Sequence, residues 1–196
     1  MTEPLISVLK EVHGCRLCAD TLALGPRPVL QAHKDAVVLV AGQAPGTRVH
    51  ASGIPFDDAS GDRLRDWMGV DKELFYDPKR IAILPMAFCY PGKGRSGDLA
   101  PPPLCAETWR TQLLGLLPNI KLTLAIGRYA QNWHLGQTEN NLTETVRAWA
   151  RYGPGLIPLP HPSPRNNIWL RRNPWFELEV LPHLKRKVRK ALSTQR

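Results

Sequence analysis

Four short, almost wholly apolar runs mark the chain: VVLVAG (37–42), IAILPMAF (81–88), LTLAIG (122–127) and LIPLPH (156–161). Runs this short and this apolar read as strands buried on both faces, the pattern of a parallel sheet. Helical segments lie between them: Gly61–Met68, Leu104–Leu117, Arg128–Leu135 and Thr143–Trp149. Leu64, Trp67 and Met68 are spaced for one helix face, and so are Leu5, Val8, Leu9 and Val12 near the start. A further helical stretch runs from Pro174 to Leu192. Alternation of this kind predicts an α/β fold with a mainly parallel sheet covered on both sides. No repeat, low-complexity tract or long linker interrupts it, so residues 1–196 are read as one domain.

Composition narrows the function classes. Apolar residues make up 43% of the 196, enough to bury a sizeable core. Proline is frequent, at 19 residues, which argues for long ordered loops over a helical bundle. No apolar run approaches the ~18–20 residues that cross a bilayer. The N-terminus lacks a basic start followed by a long apolar stretch, so a cytoplasmic protein is expected. Charge is one-sided: residues 1–150 hold 16 basic and 15 acidic residues, whereas residues 151–196 hold 10 and 2. Such a balance fits a polyanion partner, most often nucleic acid, against the alternative of a solvated basic tail.

In a parallel sheet, ligands sit beyond the carboxyl ends of the strands. Here those ends carry GQAPG (42–46), FCYPGKGRSGDLAPPPLC (88–105), the turn after Gly127, and PHPSPRNN (160–167). The second and fourth are longer than a connection needs. They also hold two of the four cysteines. Cys15 and Cys18 form C-x2-C, and Cys89 and Cys105 form C-x15-C. Without a secretory signal a disulfide pair is a poor explanation. Four thiolates drawn from polar loops suit a zinc ion or a [4Fe–4S] cluster, against the alternative of four buried free thiols. The wide second pair leans toward iron–sulfur.

GQAPG, followed by Gly53-Ile-Pro-Phe56 and Ser60-Gly61, resembles the first motif of the uracil-DNA glycosylase superfamily. His161-Pro162-Ser163-Pro164 resembles its second. The cysteine spacing is similar to that of the iron–sulfur group, family 4. The resemblance spans about residues 12 to 192. It implies a three-layer α/β/α sandwich around a central four-stranded parallel sheet. It also implies an enzyme that flips a deaminated base such as uracil out of DNA and hydrolyses its N-glycosidic bond, with a structural [4Fe–4S] cluster on Cys15, Cys18, Cys89 and Cys105; a monomer is expected. Phe56 would stack on the base, and His161 would donate to the departing uracil anion. Gly42, Ala44, Pro45, Gly46 and Ser163 would line the base site. Pro162, Pro164, Arg165 and Asn166, with Lys93 and Arg95 of the inter-cysteine loop, would meet DNA.

Several family positions differ, among them Ala44, where family 1 has an Asp, and Val49-His50, where an acidic pair is usual. Gln43 stands where family 4 has its water-activating Glu, and Pro85 where an Asn reads uracil. Gln43 cannot act as a base, so His50, Asp57 and Asp58 are the candidate replacements, the two aspartates reading more readily as turn or cap residues than as catalysts. His161, Gln43 and His50 form the expected catalytic set. Trp169 and Trp175 are expected in the core, and the run Lys185–Lys190 is either a DNA contact or a solvated helix face. The alternative functions are a lesion-recognising protein of the same fold that does not cut, and a redox protein with a solvent-near cluster. The latter lacks any dinucleotide fingerprint.

Overall fold

A computed structural model of the chain describes residues 2–95 and 97–193. In chain order its elements are α1 (Glu3–His13), β1 (Val38–Ala41), α2 (Thr47–Ser52), α3 (Ala59–Met68), α4 (Lys72–Phe75), β2 (Ile81–Ile83) and α5 (Pro103–Gly115). There follow β3 (Leu122–Ile126), α6 (Gly127–His134), α7 (Leu142–Arg147), β4 (Leu156–Leu159), α8 (Asn167–Arg172) and α9 (Leu181–Ser193). The four strands form one parallel sheet in the order β2-β1-β3-β4. All four coincide with the four apolar runs of the sequence.

The period-two alternation explains the layers. Val38 and Val40 of β1, Ile81 and Ile83 of β2, and Leu122, Leu124 and Ile126 of β3 point to one face, where α3 and α9 cover them. Leu39 and Ala82 point to the other, against Leu5, Val8 and Val12 of α1 and Leu113 of α5. The result is the expected α/β/α sandwich. Trp175 is buried and Trp169 half-buried in the first layer, edge to face at 5.8 Å, as expected of core aromatics. Among the described residues no helix is long and apolar enough to cross a membrane.

Three short helices were not legible in the sequence. The tail of PHPSPRNN is one of them: Pro164–Asn166 makes a 3₁₀ turn that leads directly into α8. Proline at the first position of a turn starts a helix as readily as it ends one. The last helical stretch also differs, because a π-helical turn at Phe176–Val180 precedes α9.

α9 does not point its cations at the carboxyl ends of the strands. Asp58 caps the start of α3 near those ends, and Gly69 caps its far end. Lys185 lies against Gly69 and pairs with Asp66 at 3.9 Å. Arg80, just before β2, hydrogen-bonds the Leu192 carbonyl. The run from Lys185 to Lys190 therefore lies toward the amino ends of the strands.

One buried polar pair stands out within the second layer. Arg110 of α5 is 0% exposed and shares a 2.6 Å contact with His134 Nε2, at the end of α6. Burial, reinforced by the guanidinium, pushes the His134 pKa down to about 3. Below pH 6.5 the unfolded chain therefore takes up a proton that the folded chain refuses until about pH 3. Folding stability is expected to fall across that window as the pH drops, by about 3 kcal/mol at pH 4.5 from this group. His134→Gln keeps an acceptor for Arg110 and cannot titrate, so its thermal unfolding between pH 7 and 4.5 should show a shallower decline.

Candidate base-binding site

The loop after β1 turns sharply at GQAPG and enters α2, which Gly53 terminates with a left-handed backbone. The chain then reaches Phe56, whose φ of 55° is unusual for a non-glycine residue. Two glycines make this position possible. A Cβ on Gly42 would sit 3.3 Å from the Phe56 ring, and one on Gly61 would sit 1.8 Å from the Phe56 carbonyl oxygen. The ring also packs edge to face on Phe75 at 6.2 Å. Glycine at the end of β1 and in the first turn of α3 thus seats one aromatic ring at the strand ends. Strained backbone held this firmly is a mark of functional sites.

His161 follows β4 on a stiff, proline-rich loop. Its Nδ1 accepts from the Ser163 backbone N–H at 3.2 Å, so the neutral ring carries its proton on Nε2. Asn166 donates its side-chain amide to the His161 carbonyl at 2.7 Å. Arg63 of α3 clamps the same loop, donating to Ser163 O at 3.1 Å and to Asn167 Oδ1 at 2.8 Å. Burial pushes the His161 pKa below the ordinary histidine value, while the Asp58 and Asp98 carboxylates pull it back. The ring is therefore a neutral donor.

Both motifs line one cavity of about 290 Å³ outside the carboxyl ends of the strands. Gly42, Gln43, Ala44, Pro45 and Gly46 form one wall, Phe56 and Pro85 another, and His161, Ser163 and Arg165 a third. The carboxylates at the cavity are Asp58 and Asp98. Asp58 lines the cavity, and its Oδ1 accepts from Gly61 N–H at 2.9 Å to cap α3, as expected of a cap residue. Asp57 is not part of the lining.

Other placements differ from the sequence reading. Gln43 lines the cavity, but its amide nitrogen donates to the Leu99 carbonyl at 3.1 Å and tethers the inter-cysteine loop. His50 is not part of the lining; its ring tilts against Tyr90 at 6.2 Å, and its buried Nδ1 has no partner. Asn166 serves the histidine loop. Lys93, Arg95 and Arg165 are exposed, and Arg165 crosses to Gly97 so closely that a side chain there would touch it. Pro162 is buried and Pro164 exposed. Sequence reasoning missed Arg48 and Asp98, which line the cavity, and Arg63, which braces its histidine. Their only sequence signal was position within strand-end loops or beside a motif.

The four cysteines, with 70 residues between the two pairs, line a second, apolar pocket with Val12, Leu22, Phe88 and Trp109. Cys15 and Cys18 come from the turn after α1, Cys89 from the loop after β2, and Cys105 from the first turn of α5. Burial raises the thiol pKa of Cys18, Cys89 and Cys105, the last to about 11, and the neighbouring sulfurs raise each further. Backbone N–H groups nevertheless reach two of the sulfurs: Phe88 to Cys105 at 3.4 Å, and Arg27 to Cys89. As placed, no three His, Cys, Asp or Glu side chains among the described residues grip a single ion. The donor set, all sulfur, ringing one pocket and supplied with N–H groups, fits a thiolate-bound metal centre.

An aromatic seat, a neutral histidine donor and a compact cavity at the strand ends are what extraction and release of a nucleobase from DNA require. A family model described as the uracil DNA glycosylase superfamily matches residues 30–185, which contain both motifs and every strand, so the chain belongs to that superfamily.

Proposed function

We propose that this chain is a monofunctional DNA glycosylase for a deaminated base. The observation that carries the reading is the convergence of Phe56 and His161, 105 residues apart, on one cavity of nucleobase scale. A flipped base stacks on Phe56 while His161 Nε2–H donates to the carbonyl on which negative charge develops. The glycosidic bond opens through an oxocarbenium-like state. Asp58 stabilises that cation and orients water, with one carboxylate oxygen spent on the helix cap. Gln43 acts as the tether of the loop that brings Asp98 to the rim.

Cys15, Cys18, Cys89 and Cys105 hold the structural metal centre, which we read as a [4Fe–4S] cluster, each of whose four irons takes one thiolate. When bound, it joins the N-terminal turn to the loop that flanks the base site, and its binding energy adds to folding.

The test is single-turnover cleavage of duplex and single-stranded oligonucleotides containing uracil, hypoxanthine or xanthine. Asp58→Asn is the informative variant, because Asn caps a helix as well as Asp does but carries no charge. Cleavage by the wild type, and a loss of about 10²-fold or more in Asp58→Asn with unchanged thermal stability, supports the assignment. The tethered Gln43 amide favours one competitor, a lesion-binding protein that does not cut. Tight binding to a damaged duplex with no cleavage of any substrate would establish it.

DNA binding is expected to depend on the cavity rim. Arg48 and Arg165 are exposed there, and Lys93 and Arg95 are exposed on the inter-cysteine loop that brings Asp98 to the cavity. If each neutralises one phosphate, log affinity should fall with log salt at a slope of about −3.6. Replacing Arg165 and Arg48 by Gln should reduce that slope by about 2, whereas Arg186→Gln with Arg189→Gln on α9 should leave it unchanged.

A further inference from the structure

Arg110 is the largest fully buried side chain among the described residues, and no carboxylate pairs with it there. Its Nη1 donates to the Leu84 carbonyl at 2.9 Å and the Pro85 carbonyl at 3.0 Å. Its Nη2 meets His134, a neutral ring that supplies no charge. Its Nε is buried with no partner. Arginine is almost never fully buried unless an anion accompanies it, because desolvating an unpaired charge is costly.

The ionisable group whose charge Arg110 feels is Cys105, five residues earlier on α5. The adjacent residue repeats the pattern. Trp109 lines the cysteine pocket, and its indole Nε1 is likewise buried without a partner. The Trp109 N–H donor thus stands among the four sulfurs, and the buried Arg110 cation, with its unpartnered Nε, is the next residue of the same helix. Four neutral thiols would leave all three uncompensated. Four thiolates around a metal centre carry the negative charge that they lack.

Resting on the cysteine-centre reading above, we propose that Arg110 and the Trp109 indole are the charge and hydrogen-bond complement of that centre. Arg110 is then a positioning residue with two ends. One balances the thiolates. The other holds the carbonyls at the end of β2, where Pro85 forms part of the base-cavity wall. Loss of the centre would leave a buried cation unbalanced directly behind that wall.

The experiment uses the full chain purified without oxygen. Iron, sulfide and zinc contents are measured first, and a wild type that carries no metal overturns the cysteine-centre reading itself. With metal present, the reduction potential of the centre and its rate of iron release to a chelator are compared in Arg110→Gln, Arg110→Lys and Trp109→Phe. A reduced centre gains negative charge, so removal of a nearby cation or donor moves the potential to more negative values. Arg110→Gln should show that shift and release iron about tenfold faster, Arg110→Lys should stay near the wild type, and Trp109→Phe should shift the same way by less. Should the centre hold zinc, the release rate alone is read. Arg110→Met replaces Arg110→Gln if the latter does not fold. Failure of both neutral chains to fold, when Arg110→Lys folds, also shows that the cation is required. A folded neutral variant matching the wild type in potential and release overturns the proposal, as does a Lys variant as impaired as the neutral one. An unchanged Trp109→Phe removes the indole from it.

Discussion

His161→Ala is expected to slow single-turnover base release by roughly 10²–10³ while leaving affinity for undamaged DNA unchanged. Removing one preorganised donor from a developing anion costs about 2.7–4 kcal/mol of transition-state stabilisation. The geometry argues for the upper part of that range. The ring is fixed from three directions, by Ser163 N–H on Nδ1, by Asn166 on its carbonyl and by Arg63 on the rest of its loop. No reorganisation is then needed when charge appears. Because burial keeps the ring neutral below its ordinary pKa, the wild-type rate should show no histidine titration step near pH 6.5. His161→Gln, which retains a donor, should recover part of the loss. Full activity in His161→Ala would remove the histidine from the site.

Gly61→Ala is expected to be the most damaging small substitution in the chain. A methyl group there would lie 1.8 Å from the Phe56 carbonyl oxygen and 2.9 Å from its Cβ. Both neighbours belong to a residue already strained at positive φ, and the carbonyl is backbone, so no rotamer change relieves the overlap. α3 or the Phe56 turn must shift. The substitution should cost about 3 kcal/mol of folding stability, as overpacking does when the backbone must move. It should also abolish capture of a damaged base, because the aromatic seat moves with the turn. Thermal unfolding and binding to a uracil-containing duplex measure the two effects. Alanine is a good helix former and Gly61 is helical, so propensity alone predicts the opposite sign.

Much of the fold was legible because burial writes itself into composition. Strands buried on both faces need unbroken apolar runs, and each of the four runs became a strand. Both motifs were legible too, since close approach to a flat ring calls for glycine, and a stiff loop calls for proline. The short helices were not, because α2, α4 and α8 are too brief to carry a period and are held by their caps and neighbours. The roles of charged and polar side chains were the least legible. Gln43 and Asn166 looked like groups for substrate or DNA, and in the structure their amides hold neighbouring loops. Arg48, Asp98 and Arg63 carried no motif, yet the loops deliver them to the cavity.

The basic C-terminal quarter shows the division most clearly. The sequence alone established its charge and the parallel sheet, and it singled out Phe56 and the four cysteines. Only the tertiary structure decided that Lys185–Lys190 lie toward the end of the sheet opposite the cavity, that His50 faces Tyr90, and that Arg110 is sealed in the interior against the Leu84 and Pro85 carbonyls. Hydrophobic burial depends on residue type and local period, so a sequence displays it. A hydrogen bond or an ion pair depends on where one atom ends relative to another, and that position is set only when distant segments pack together.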